Sequence, residues 1–297
     1  MNSWQVGSVK VTRVEEQVGV GGFPPEKFLV GLDRRRFEEL LPLMPNHYSR
    51  EHDRLVSSMH SWVLRSGGKV ILVDACCGNF KERPFMPRFH QLNTLYLSNL
   101  EAAGVKPEEV DIVLCTHLHS DHVGWNTRLE NGAWVPTFPN ARYLFSDLED
   151  ARWNPRRMEG MDSNRAAVYE DSVLPVVRSG QAQLLEDRIN VLDSLLSIEP
   201  SPGHTPGHVI LKLEDDEARA LFCGDVLHHA VQVYQPDWNS AFCESPEQAA
   251  TTRKAVLAWC ADHAALLFPT HFAAPYAASI HRHAQGFGLE FVPAQLP

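Results

Sequence analysis

The chain has 297 residues, 44% hydrophobic and 22% charged, with a formal net charge of −10. This suits a soluble globular protein long enough to bury a core without staples. The acidic balance argues against a general nucleic-acid binder, and no apolar run is long enough to span a bilayer. "MNSWQVGSVK" lacks the basic start and apolar middle of a signal peptide, so the expected location is cytoplasmic. The six cysteines form no C-x-x-C pair and read as buried reduced thiols.

In chain order, "VKVTRVEEQVGV" alternates as an opening strand. "GVGGFPPEKF" breaks regular structure, "DRRRFEELLPLM" is a short amphipathic helix with Asp33 at its N-cap, and "PNHYSREHDRL" is a polar loop. Residues 19–54 are therefore expected to form an extension or lid over a single domain of residues 1–297. "HSWVLRSGGKVILVDACCG" is a hairpin turning on Gly67–Gly68. "FHQLNTLYLSNLEAAGV" is a helix ended by Gly104, and "VDIVLCTH" is a buried strand. "ARYLFS" is a strand, and "SNRAAVYEDSVLPVV" is a helix limited by Pro175. "LLSIEPSPGH", "HVILKLEDD" and "ARALFCGD" are further strands. "SPEQAATTRKAVLAWCADH" is a helix with Ser245 at its N-cap and Pro246 at its first position. "ALLFPTH" is a last buried strand. Strand pairs alternating with helices in both halves point to a layered α/β fold. "HRH" at His281–His283 reads as a surface helix end, and no role falls to it or to His208 and Gln232.

Four strand ends carry side chains that bind metals. They deliver His117, His119, Asp121 and His122 from "THLHSDHVGW", His204 from "PSPGHTPGH", Asp225 from "CGD" and His271 from "PTH". Strand ends at one sheet edge converge, and rigid strands hold ligands precisely. His117 and His119 are two apart, so an extended backbone aims both the same way, while Asp121 and His122 come after a turn. Seven donors are too many for one tetrahedral zinc. They suit two metals sharing a bridging group and keeping positions open for water.

The set resembles the metallo-β-lactamase superfamily of binuclear metallohydrolases. Its His-x-His-x-Asp-His hallmark matches His117, His119, Asp121 and His122. Its later motifs match "PGHTPGH", "CGD" and "PTH". The resemblance covers the chain from about Ser61 onward and implies a four-layer αββα sandwich. It implies that His117, His119 and His204 hold one divalent ion, that Asp121, His122 and His271 hold the other, and that Asp225 bridges them. Zinc is expected, and manganese, cobalt and iron accept the same donors. Asp74 in "LVDACCG" matches a position behind the ligands, where a carboxylate fixes an imidazole tautomer.

The bridging Asp225 speaks against a true β-lactamase. "GDVLHHAVQV" and the later "SPEQAATTRKAVL" resemble the branch holding bacterial lactonases and methyl-parathion-hydrolase-like enzymes. Many such lactonases carry a tyrosine three residues after the bridging aspartate, where this chain has His228. The implied activity is opening of a lactone or cleavage of a related ester by a metal-bridging hydroxide. Asp121 would take the nucleophile's proton, and His228 would assist the leaving alkoxide. Phosphotriester hydrolysis on the same site and mononuclear iron sulfur oxidation are the alternatives. Phe23, Phe28 and Trp125 are candidate pocket walls, as are the aromatics of "FSDLEDARW". The expected partner is a small-molecule ester or lactone, with neither nucleic acid nor membrane. The lookalikes imply a homodimer, though no stretch here marks an interface.

Overall fold

The computed structural model describes residues 2–186, 189–191, 195–284 and 286–295. The fold consists of two compact units. One comprises the described residues of Met1–Gln17 and Met59–Arg188, and the other those of Val18–Ser58 and Ile189–Gln295.

The sheet of the first unit runs in the order Ser3–Val6, Val9–Val20, Arg54–Ser66, Lys69–Val73, Ile112–Leu114, Arg142–Ser146 and Ala182–Leu185. The opening alternation becomes the strand Val9–Val20. The Gly-Gly turn joins two antiparallel strands, Trp62 pairing with Val73 and Ser66 with Lys69. Gly67 and Gly68 both take positive φ, as a tight primed turn requires. Ile112–Leu114 lies parallel to both its neighbours. Such a strand is covered on both faces, hence its continuous apolar run. The helix expected from Phe89 begins only at Tyr96, after a 3-10 turn that Pro87 opens. The helix expected to be limited by Pro175 spans Ser163–Ser172, and a second one, Leu174–Arg178, carries Pro175 in its first turn. Proline lacks the N–H that would continue the ladder.

The sheet of the second unit runs Ile189–Val191, Leu196–Pro200, Val209–Asp215, Ala218–Phe222, Leu266–Phe268, Ala277–His283 and Gly286–Val292. The "HRH" triplet thus ends a strand rather than a helix. The helix Pro246–Asp262 buries Ala249, Ala250, Arg253, Val256, Leu257 and Cys260, one stripe of a 3.6-residue period. Ser245 stands at its N-cap, but its hydroxyl makes no capping bond. Asp33 does cap its helix, accepting from the Arg36 N–H at 2.7 Å.

Residues 19–54 are anchored in this unit. Leu29, Phe37, Leu40, Leu41 and Met44 pack in one cluster with Val226, Leu227, Val231 and Leu257. Each fully buried side chain of this size contributes roughly 1.5–3 kcal/mol. His47, inside the expected polar loop, is also buried. All six cysteines are buried and free.

Candidate metal centre

In the first unit the donors sit on the loop after Ile112–Leu114. Asp74, at the end of the neighbouring strand, ties this loop down. Its Oδ1 accepts the Thr116 N–H at 2.8 Å, and its Oδ2 accepts the Thr116 hydroxyl at 3.0 Å and His122 Nδ1–H at 2.8 Å. The Thr116 oxygen lies 3.1 Å from His117 Nδ1. Because the hydroxyl proton goes to Asp74, His117 Nδ1–H is the donor in that contact. Both imidazoles are thereby set with Nε2 as the lone-pair nitrogen. His117 Nε2 and His119 Nδ1 stand 2.9 Å apart. His122 Nε2 lies 4.0 Å from Asp121.

The loop is held by close backbone packing. Ala75 N–H donates to His122 O at 2.7 Å, Gly124 N–H to Cys76 O at 2.7 Å and Trp125 N–H to Ala75 O at 2.6 Å. A Cβ on Gly124 would overlap the carbonyl of Cys77, so only glycine allows this approach. Glu16 supplies a second clamp. It accepts the Cys77 N–H at 2.8 Å, the Gly78 N–H at 3.0 Å and the Trp125 indole N–H at 2.7 Å. Burial raises its pKa even against these donors. Glu149 accepts the Leu118 N–H at 3.0 Å and the Trp153 indole at 2.8 Å. Trp153 packs its edge against His119 with centroids 5.0 Å apart.

In the second unit Asp225 is the focus. Its Oδ1 is 3.0 Å from His271 Nε2, and its Oδ2 is 3.3 Å from His204 Nε2 and 3.2 Å from His228 Nε2. All four side chains are buried. His271 Nδ1 donates to Ser58 O at 3.1 Å, which leaves Nε2 for a ligand. Asp225 N–H donates to His208 Nε2 at 3.0 Å, and His208 Nδ1 bonds the Ser201 hydroxyl at 2.7 Å. His208, to which the sequence assigns no role, therefore holds the backbone of Asp225. Gln232, also left unassigned, accepts the His228 N–H at 2.7 Å and the His229 N–H at 3.2 Å. Neither residue has a spacing signal of its own, since each acts through backbone groups that only the folded turn presents. Gly203 packs against the backbone of Ala249, with no room for a Cβ, and so seats the His204 loop on the helix Pro246–Asp262.

Burial lowers the His228 pKa, although Asp225 opposes the shift. The ring is thus held neutral, with one N–H and one lone pair. Its Nδ1 has no hydrogen-bond partner among the described residues. Phe28 meets the His228 ring edge-on with centroids 5.9 Å apart. Phe242 joins Phe28 at 5.9 Å and Phe23 at 6.0 Å. Phe242 was missed in the sequence; it is placed by pairing of the strand Asn239–Ser240 with Leu29–Val30. Trp125, expected as a candidate pocket wall, lies in the core instead. Its ring stacks on Tyr96 at 5.2 Å within the core of the first unit, and its indole N–H is spent on Glu16.

The donor set is one of imidazole and carboxylate groups, and the outer nitrogens of His117, His122 and His271 are occupied. A buried carboxylate surrounded by imidazole nitrogens at 3.0–3.3 Å fits divalent cations, since such a cluster without a cation would be a poor use of buried polar groups.

A family profile described as the metallo-beta-lactamase superfamily matches residues 56–271. The chain belongs to this superfamily. A hydroxyacylglutathione hydrolase from Synechococcus sp. is 31% identical over 137 residues, 44% of this chain and 40% of that protein. The chain thus spans about two fifths of the length of this curated relative. Among solved structures, the hydrolase AbOPH of the beta lactamase superfamily matches with a TM-score of 0.82 at 22% identity. That match covers 100% of this chain and 98% of that one. AidC, a dizinc quorum-quenching lactonase solved with a product, matches with a TM-score of 0.77 at 18% identity. It covers 99% and 97% of the two chains. These likenesses establish the metallo-β-lactamase fold. No helix among the described residues is long and apolar enough to cross a membrane.

Proposed function

We propose that this chain is a metal-dependent hydrolase of a lactone or related carboxylic ester. Its fold and its hydrolase relatives mark it as an enzyme. The observation that carries the reading is the Asp225 carboxylate facing His204 and His271. By the family pattern, His117, His119 and His204 would hold one divalent ion and Asp121, His122 and His271 the other, with Asp225 as the expected shared ligand. When bound, such ions supply hydroxide near neutral pH and stabilise negative charge developing on a carbonyl oxygen.

The chain's own residues do the rest. Asp74 and Ser58 O keep His122 and His271 in the tautomers that present Nε2. Asp121 accepts the proton lost by the attacking water. His228, neutral and beside Asp225, donates its N–H to the carbonyl or leaving oxygen. Phe28, Phe23 and Phe242 offer an apolar ledge beside His228, suited to the acyl chain of the substrate. The same ledge would suit an aryl group, which keeps phosphotriester hydrolysis as the second reading. The partner is a small molecule, and the expected assembly is a homodimer.

The test is kcat/KM of the metal-replete protein on lactones, aryl esters and a phosphotriester. A lactone preferred by a hundredfold, roughly 2.7 kcal/mol of transition-state preference, supports the first reading. A preference for the phosphotriester overturns it in favour of the second.

A further inference from the structure

We propose that His281 and His283 form a separate surface chelate for a divalent transition-metal ion, carried by one hairpin outside the donor set described above. On a helix, residues two apart point to different sides. These two lie on the strand Ala277–His283, where residues two apart leave the sheet on the same face. Each stands opposite a glycine of the antiparallel strand Gly286–Val292. His281 pairs with Gly288, and His283 pairs with Gly286. Opposed residues share a face, so the two glycines remove the side chains that would otherwise fill the space beside the histidines.

The imidazoles lean into that space. Their centroids are 5.0 Å apart with planes at 82°. A Cβ on Gly288 would overlap His283 Nε2 and stand 3.2 Å from His281 Nε2. Both Nε2 atoms therefore converge above the same glycine. Both residues are exposed, and neither ring has a hydrogen bond or ion pair among the described residues.

The surroundings suit a cation. Arg282 points to the opposite face, where its guanidinium pairs with Asp262 at 2.6 and 2.7 Å. Glu290, opposite Ser279, is on the histidine face. It is a diagonal neighbour of His281, about 7–8 Å away by sheet geometry, and adds negative charge to that face. A cavity of about 380 Å³ borders His283 and is also lined by Arg36, Tyr234, Gln235, Gly286 and Phe287. Arg36 is itself paired with Glu39 at 3.1 Å. Two imidazoles with a carboxylate or water select zinc, nickel or copper over magnesium and calcium.

The experiment is calorimetric titration of Zn²⁺ into the metal-replete protein, with Mg²⁺ present throughout. The expected result is one additional zinc per chain. Uptake is lost in His281→Ala and His283→Ala. It weakens by about tenfold or more in Gly288→Ala, which keeps both ligands but fills the space where they converge. Ester-cleaving kcat/KM stays unchanged in all three variants, which separates this site from the proposed catalytic one. The proposal is overturned if the wild-type protein takes up no additional zinc. It is also overturned if the His281→Ala/His283→Ala double variant binds as many ions with the same affinity. Unaltered binding in Gly288→Ala would overturn the convergence of the two nitrogens.

Discussion

Oδ2 of Asp74 accepts hydrogen bonds from His122 Nδ1 and from the Thr116 hydroxyl at once. One oxygen thus orients one imidazole directly and a second, His117, through threonine. Asp74→Ala should weaken metal binding by about 10–100-fold, the usual cost of losing an outer carboxylate. Chelator competition would measure it, and an unchanged affinity would show that the tautomers are set some other way.

Asp225→Ala should lower metal content and abolish turnover, because it removes the group that His204 and His271 both face. Exhaustive chelation of the wild-type protein should have the same effect, reversed by adding metal back. Full hydrolysis by a preparation shown by elemental analysis to be metal-free would defeat the proposed mechanism.

His228→Ala should lower kcat with little change in KM, since the proposed N–H donation strengthens as charge develops on oxygen. Phe28→Ala should instead raise KM, as the ledge binds ground state and transition state alike. Steady-state kinetics on one ester separates the two, and a pure KM effect at His228 would reassign it to binding.

Acid should destabilise the second unit through two buried histidines. Burial lowers the His47 pKa to about 4 and that of His229 to about 3. Both values lie below the ordinary imidazole value, so the unfolded chain binds protons first as pH falls. Stability is complete above about pH 6.5 and declines as pH drops toward 4. His47 alone would account for roughly 2–3 kcal/mol by pH 4.5. Urea midpoints at pH 7.5 and 4.5 would check this, and His47→Phe should roughly halve the difference, His229 supplying the rest.

Glu16→Ala should cost about 3 kcal/mol or more, because two backbone N–H groups and an indole N–H lose their acceptor in a buried site. Gly124→Ala should be at least as severe, since the Cys77 carbonyl must move to admit a methyl group. Denaturant melts report both, and a change below about 0.5 kcal/mol at Gly124 would mean that the loop yields easily.

The candidate donors were easier to pick out in the sequence than the framework that supports them. They follow strands that apolar runs announce, and their residue types are distinctive. Phe28 was legible as an aromatic near a break. Glu16 and His208 were not, because one lies in an ordinary alternating strand and the other beside a ligand motif. What each does depends on a backbone N–H distant in sequence. Trp125 misled because its neighbourhood in sequence is the donor loop while its ring belongs to the core. "HRH" misled for a different reason. Its short charged pattern has no period, and only the pairing with Gly286–Val292 reveals a strand.

The burial of all six thiols has a practical consequence. Burial pushes Cys115 and Cys260 up to about 12 and Cys243 up to about 11, so the folded chain offers almost no thiolate to an alkylating probe. A maleimide or a chromogenic disulfide would then report each excursion from the native state as a burst of labelling against a silent background. A single cysteine placed on the surface could carry a fluorophore without removal of any native thiol.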